Sequence, residues 1–333
     1  MAEITFEYLY SVQESTRGTL IATPTRNLGV RATLTPMMEW YEPEDQRGSL
    51  VKQYREFLVR EWSELEVEES AVDLNTFHHF CAGAIKGGVS GTLIETGVYS
   101  WVFTPNATAD DLKSYTLYWG DPNNQIWQAA YGMLDELVIT ANGSGTDGVM
   151  FSATGRAQKM AEVADPTPIA IGTQLSLPPA RMDYYMDAAG GSYGSTSLTS
   201  RVLDVEINIP TGVVYKFGPV GAAGSGGNTF RRIGREPRRS SMTVTLELLD
   251  TTQTDLILAG TVMKHRVRMN TEALIGSTQR GFINFDTYGY LRDVEWGELE
   301  GTNRTVKFTV HGLYESSLAA DYVLTVQNSV TAV

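Results

Sequence analysis

The sequence predicts an α+β fold in two similar halves, each a set of antiparallel strands with one principal helix. Three observations predict it: motifs that recur in order along the chain, a period-2 alternation of apolar and polar residues, and one helix-like segment per half. Asp73 to Gly83 and Asp250 to Gly260 are spans of equal length at an offset of 177, each with alanine before the closing glycine. Tyr131-Gly132-Met133-Leu134 matches Tyr288-Gly289-Tyr290-Leu291, Gly145-Thr146 answers to Gly301-Thr302, and Gly155 to Gly312. Near the start of each copy, Arg26 with Leu34-Thr35-Pro36 pairs with Arg201 and Asn208-Ile209-Pro210. One duplicated unit accounts for this order and places the halves at residues 1–165 and 166–333.

The strands follow from the alternation. Trp62, Glu64, Glu66 and Glu68 interleave with Ser63, Leu65 and Val67, and Ser241, Thr243 and Thr245 interleave with Met242, Val244 and Leu246. Val202, Asp204, Glu206 and Asn208 oppose Leu203, Val205, Ile207 and Ile209, with Val30, Ala32 and Leu34 as the first-half counterparts. Val149, Phe151 and Ala153 match Val306, Phe308 and Val310 near the end of each half. A slip of one residue would turn every one of these faces over, so the shared phase predicts a real register.

The helices follow from caps and spacing. Asp73 can cap residues 74–82, where Leu74, Phe77, His78 and Cys81 share a face and Gly83 stops the turn. Asp250 or Thr251 can do the same for Leu256, Ile257 and Ala259, ending at Gly260. Each helix is expected to cover one sheet face. The proline-rich segment from Asp165 to Pro179 reads as the connector between halves. The halves differ after the helix: 48 residues separate Gly83 from Tyr131, against 28 between Gly260 and Tyr288. The extra length lies near residues 88–125, around Tyr99, Trp101, Phe103, Tyr118 and Trp119.

Composition narrows the function. The net charge of −13 falls mostly on residues 1–165, which disfavours ordinary nucleic-acid binding. Cys81 is the only cysteine, so no intrachain disulfide is possible and a reducing compartment fits. No signal peptide or membrane-span pattern is expected. His78, His79 and Cys81 lack a second ligand pair at zinc spacing, and the glycine-rich stretch 218–227 lacks the helix and Lys-Ser/Thr of a phosphate loop. Neither metal nor other cofactor is therefore expected, and no catalytic constellation stands out. Glu64, Glu66, Glu68 and Glu69 read either as a solvated sheet face or as the lining of a shared aqueous channel. Arg231, Arg232, Arg235, Arg238 and Arg239 read as a basic loop that can dock on the acidic half of another subunit. A glycan-binding or hydrolytic β-rich module remains a different reading, using Trp101, Trp119 and Trp127 as exposed aromatics.

The order of segments resembles the bacteriophage tail tube protein fold. Glu14-Ser15-Thr16-Arg17-Gly18-Thr19 with Pro24-Thr25-Arg26 is similar to that family's opening segment. Tyr54-Arg55-Glu56-Phe57 running into Trp62–Glu68 and the helix is similar to its central strand–helix unit. The resemblance implies a β-sandwich or partial barrel per half, flanked by its helix, and a structural protein with no chemical step. Subunits of that family form rings that stack into a hollow tube, so the chain is expected in the virion of a long-tailed phage after synthesis in the host cytoplasm. A two-domain subunit implies a homotrimeric, pseudo-sixfold ring. The implied partners are the tape measure protein and passing double-stranded DNA in the lumen, the tail terminator and tail tip proteins, and no membrane. Glu64, Glu66, Glu68, Asp204 and Glu206 are the expected lumen-facing residues; the arginines of 218–239, and residues 41–56 in the first half, are the expected inter-ring loops. Another tube-forming component, such as a baseplate hub or injection-tube ring, is the alternative.

Overall fold

A computed structural model describes residues 8–43, 56–121, 125–143, 145–217, 229–248, 255–256, 259–300 and 303–331. They form mostly antiparallel β-sheet, with one complete α-helix among the described residues. The first half holds β1 (Tyr8–Gln13), β2 (Arg26–Asn27), β3 (Ala32–Tyr41), β4 (Phe57–Ala71) and α1 (Leu74–Ala84). It continues with β5 (Thr92–Glu95), β6 (Val98–Phe103), β7 (Tyr115–Asp121), β8 (Gln125–Asn142), β9 (Met150–Ala157) and β10 (Ala161–Val163). The second half holds β11 (Met182–Ala188), β12 (Val202–Pro210), β13 (Val213–Phe217), β14 (Phe230–Arg235) and β15 (Ser241–Leu248). It ends with β16 (Val262–Leu274), β17 (Arg280–Glu300), β18 (Asn303–His311) and β19 (Tyr322–Asn328).

The pairings build one sheet with the order β3-β4-β9-β8-β12-β15-β18-β17, antiparallel throughout. Its alternation is the one read from the sequence. Leu34, Leu65, Val67, Ile139, Val205, Ile207, Met242, Val244, Phe308 and Val310 are buried on one face, and the hydroxyl and charged residues between them lie on the other. Behind the buried face stand two further strand groups. One is β1, β7, β8 and β10, with β2 on β1; the other is β11, β16, β17 and β19. β8 and β17 serve both layers, so each must bend.

Both bends fall on the recurring Tyr-Gly motif. Residues of β8 up to Gly132 pair with β7, and those from Met133 pair with β9. In β17, residues up to Tyr290 pair with β16, and those from Leu291 pair with β18. Tyr131 takes φ of 56°, and a Cβ on Gly132 would lie 2.8 Å from a Leu117 methyl and 3.0 Å from the Tyr115 carbonyl oxygen. A Cβ on Gly289 would fall on the His311 carbonyl. The glycines are there because another strand's backbone passes too close for any side chain.

Helix α1 begins where its cap predicts. The Asp73 carboxylate accepts from the Asn75 amide at 3.2 Å and from the Leu175 amide, in the connector, at 2.8 Å. The helix ends one residue beyond Gly83, which packs against Tyr115 and Leu134 instead of closing the turn. It also does more than cover one sheet face: His79, Phe80, Ala82 and Gly83 are buried together with the predicted Leu74, Phe77, His78 and Cys81. The reason lies in the long segment after it. The β5–β6 hairpin adds to β19 of the second half, and α1 is packed among β6, β8, β17 and β19. The Asn328 side-chain amide donates to the Leu74 carbonyl at 2.9 Å, and Trp101 Nε1 donates to Asn328 Oδ1 at 2.9 Å. The additional residues in the first half are therefore a strap that joins the two halves, while β7 belongs to the strand group shared by both. Replacing Asp73 with alanine is expected to cost about 1 kcal/mol, since the cap's bonds to two amides are lost; urea unfolding followed by circular dichroism measures it.

The helix expected after Asp250 lies largely outside the described residues. Asp255 and Leu256 are helical, the Ala259 amide donates to the Asp255 carbonyl at 2.9 Å, and Gly260 has φ of 58°. No helix among the described residues is long and apolar enough to cross a membrane.

Candidate functional site

The polar face of the eight-stranded sheet brings together the carboxylates that the sequence places in separate halves. Glu64, Glu66 and Glu68 stand on β4, and Asp204 and Glu206 on β12, all on the face opposite the core. Their alternate partners Leu65, Val67, Val205 and Ile207 are buried in the core cluster shared by both halves. Glu66 and Glu206 are exposed, and the other three are half-buried.

The rows across the strands show what surrounds them. Glu66 lies between Thr33 and Thr154, and Glu206 between Thr140 and Thr243, which is followed by Thr309. Asp204 lies between Asn142 and Thr245, with Lys307 next. Glu64 lies opposite Arg156, and Glu68 bonds Arg31 at 3.1 Å. The Thr140 hydroxyl donates to Glu69 at 3.2 Å, and the Thr243 and Thr309 hydroxyls meet at 3.1 Å. The face is thus rich in threonine and mixed in charge, with the five carboxylates set among hydroxyl and basic groups. Such a surface is densely hydrated and offers no cluster of cations to hold phosphates. The threonines on β8, β9 and β18 were overlooked as members of the face; their period-2 spacing was the available signal.

The basic segment differs from the expected loop. Arg231, Arg232 and Arg235 lie on β14, which pairs with β13 as a hairpin, and residues 218–228 are outside the described residues. Phe230 is fully buried against Leu112, Tyr131 and Met133 of the first half, and Phe217 meets Trp62 edge-on at 5.8 Å. The Gln158 amide donates to the Phe230 carbonyl at 2.7 Å. The Tyr215 hydroxyl donates to Asp135 at 2.7 Å, and burial raises the Asp135 carboxyl despite that bond. Arg235 pairs with Asp110 of its own chain at 3.3 Å, so this guanidinium is engaged inside the subunit. Arg232 and Arg239 are exposed, and Arg238 is half-buried.

The opening segment carries a group whose role was not foreseen. Glu14 is buried, and its carboxylate accepts from the Gly18 and Tyr131 amides at 2.7 Å each and from the Ser114 and Thr116 hydroxyls at 2.6 and 3.0 Å. It ties the Ser-Thr-Arg-Gly turn to the bend of β8, with Arg17 held by Asp110 and the Leu112 carbonyl at 2.5 Å each.

Two further expectations change. Trp101 is fully buried, Trp119 donates its ring N–H to the Ala32 carbonyl at 2.6 Å, and Trp119 and Trp127 are half-buried. The three do not form an exposed aromatic platform: Trp101 on β6 is in the core, and Trp119 on β7 and Trp127 on β8 pair with each other, half-buried. Cys81 is buried, its thiol pushed up by burial, and His79 is pushed down to about 2 by burial, with His78 and Arg26 adding to the effect. Among the described residues no group of three His, Cys, Asp or Glu side chains is placed to hold a metal ion. No protein-family model matches this sequence, and no curated protein matches it either.

Proposed function

We propose that this chain is a tube-forming structural subunit, the major tail tube protein of a long-tailed phage, which closes into rings and stacks them into a conduit for DNA. The observation that carries this reading is the eight-stranded sheet. Its strand order is β3-β4-β9-β8 followed by β12-β15-β18-β17. Under the sequence repeat, each strand of the second group is the counterpart of one in the first. The β8–β12 pairing then joins the last strand of one copy to the first strand of the next, head to tail. The same junction can form between the far edge of β17 and the free edge of β3 in another chain. Repeating it closes a barrel with no edges left, and a barrel removes the hazard of long unpaired strands.

The peptide directions support the same junction. The Gly143 amide donates to the Leu203 carbonyl, so Leu203, Val205, Ile207 and Ile209 turn their backbone groups toward β8. The Glu68 amide donates to the Arg31 carbonyl, which leaves the matching core-phase residues Ala32 and Leu34 turned away from β4, toward the free edge. The bends at Tyr131-Gly132 and Tyr288-Gly289 add to the support for a duplicated domain.

In this reading three chains make a pseudo-sixfold ring, and the threonine-rich face with Glu64, Glu66, Glu68, Asp204 and Glu206 lines the lumen. The tape measure protein and DNA would pass there, and tail terminator and tail tip proteins would cap the tube. Another tube component, such as a baseplate hub, shares the same sheet argument and differs in stacking number. Electron microscopy of the concentrated chain is expected to give rings of three chains; six whole chains per ring, or monodisperse monomers, would overturn the reading. Lumen assignment has its own check. Glu66→Cys and Glu206→Cys, in a Cys81→Ala background, are expected to resist a maleimide too bulky for the bore once tubes form, and rapid labelling would reverse the face.

A further inference from the structure

One part of the chain is only partly covered by its own fold. β4 pairs with β9 only from Ser63 onward, so Phe57–Trp62 and the facing end of β3 form a two-stranded arm beyond the sheet. Met38, Trp40, Tyr41, Phe57 and Val59 on this arm are 54, 50, 57, 51 and 42% exposed. That concentration of large apolar side chains in one projection marks a contact surface.

The second half supplies the precedent for what covers such an arm. The β13–β14 hairpin stands between β12 and β15, as the arm's outer end stands between β3 and β4. Its apolar residues are covered because it folds back over the first half: Phe230 on Tyr131 at 5.3 Å, Phe217 on Trp62 and under the Arg60 guanidinium at 5.1 Å. Within one chain, then, the later unit's hairpin lies over the earlier unit's end.

The corresponding end of the second half is open. A cleft of 860 Å³ is bordered there by residues 105–110, 233–239, 312–314 and 320–321. Tyr314 at its rim is 66% exposed, and Arg238 and Arg239 make no ion pair among the described residues. The cleft lies at the same end of the sheet as the arm: Pro36 faces Ser63, Ser63 faces Ala157, and at the far side Ser241 faces His311, next to Gly312.

We propose that each chain's β3–β4 arm lies over the second half of the preceding chain in the same ring, in the cleft between 105–110, 233–239, 312–314 and 320–321. The contact repeats between chains the one that β13–β14 makes within a chain. It rests on the ring reading, because the β17–β3 junction is what brings the arm beside the cleft. The occupant is therefore a second copy of this chain. Trp40, Tyr41 and Phe57 meet Tyr314 and Leu313, and Glu42 comes to Arg238 and Arg239. The arm then acts as a lateral clasp that closes the ring; residues 44–55 of the expected first-half inter-ring loop lie outside the described residues.

Photocrosslinking separates the possibilities. With p-benzoylphenylalanine at position 40 of the full chain, illumination of rings identified by microscopy is expected to give a dimer-sized product. Peptide mapping should place the bond within 233–239 or 312–321. A bond to residues 143–150, at the opposite end of the sheet, would assign the arm to a stacked ring and overturn the proposal, as would intact rings with no dimer product. Absence of rings would overturn the ring reading itself, and this proposal with it. As a second measure, the folded variant Trp40→Ser with Phe57→Ser should need about tenfold more protein for half-assembly, as loss of central apolar anchors predicts. An unchanged assembly concentration would count against the clasp.

Discussion

Proline at Ala32 and Met38 is expected to leave a folded monomer that no longer closes rings. Both residues lie in the phase of β3 whose amides face away from β4, as the Glu68-to-Arg31 bond requires. Neither proline would remove a bond from the β3–β4 ladder, and Pro36 already occupies this phase. In the proposed ring, each would delete a donor to the far strand of another chain and set a pyrrolidine ring against it. Two lost donors that leave their acceptors unpaired, at roughly 1–3 kcal/mol each, cost about 3 kcal/mol per junction, a more than hundredfold loss of affinity at each contact. Light scattering and microscopy across a concentration series read the effect, with circular dichroism confirming the fold. Normal rings from the folded double variant would contradict closure through β3.

The second large effect concerns acid. His79 and His265 are buried, with their pKa values pushed down to about 2 and about 3, chiefly by desolvation. Neither ring nitrogen of His79 has a hydrogen-bond partner among the described residues, while His265 Nδ1 meets the Tyr184 hydroxyl at 2.9 Å. In the unfolded chain each takes up a proton near pH 6.5. Their folded values lie lower, so the stability they allow is complete above pH 6.5 and is lost as pH falls toward the folded values. Between pH 7 and 5 the loss is about 2 kcal/mol per histidine, roughly 4 kcal/mol together. Asp73 and Asp135, both raised by burial, act in the opposite sense as pH falls into the carboxylate range. His79→Leu is expected to halve the slope in this window and to stabilise the protein at pH 7 by about 1 kcal/mol, because an unsatisfied polar ring leaves the core. Urea unfolding at pH 7, 6 and 5 tests both statements; a variant with the parental slope would rule out His79 as a source.

Legibility differed by element. The strands of the polar face and their phase were readable because a half-buried strand writes its two faces into alternate residues, as at Glu64–Val67 and Ser241–Leu246. The start of α1 was readable because a cap is a local bond between Asp73 and its own helix. The end of α1 was misplaced: Gly83 lies inside the helix, where its missing side chain lets Tyr115 and Leu134, distant in sequence, pack closely. Burial of Trp101 and His79 was hidden for the same reason: Trp101 is covered once β6 pairs with β19, and His79 lies beside Leu9, Leu28 and Tyr115, all far from it in the chain.

By itself the sequence determined which residues alternate, where the helix cap lies, and that one order of motifs occurs twice; each is set by interactions among near neighbours. Only the tertiary structure decided that β8 pairs with β12, that the carboxylates of the two halves share one face, and that Arg235 is spent on Asp110. Those outcomes depend on which strand edges meet, and edge choice is settled by loop closure and packing between residues far apart in the chain. Period-2 alternation tells a strand which way to face and says nothing about its neighbour.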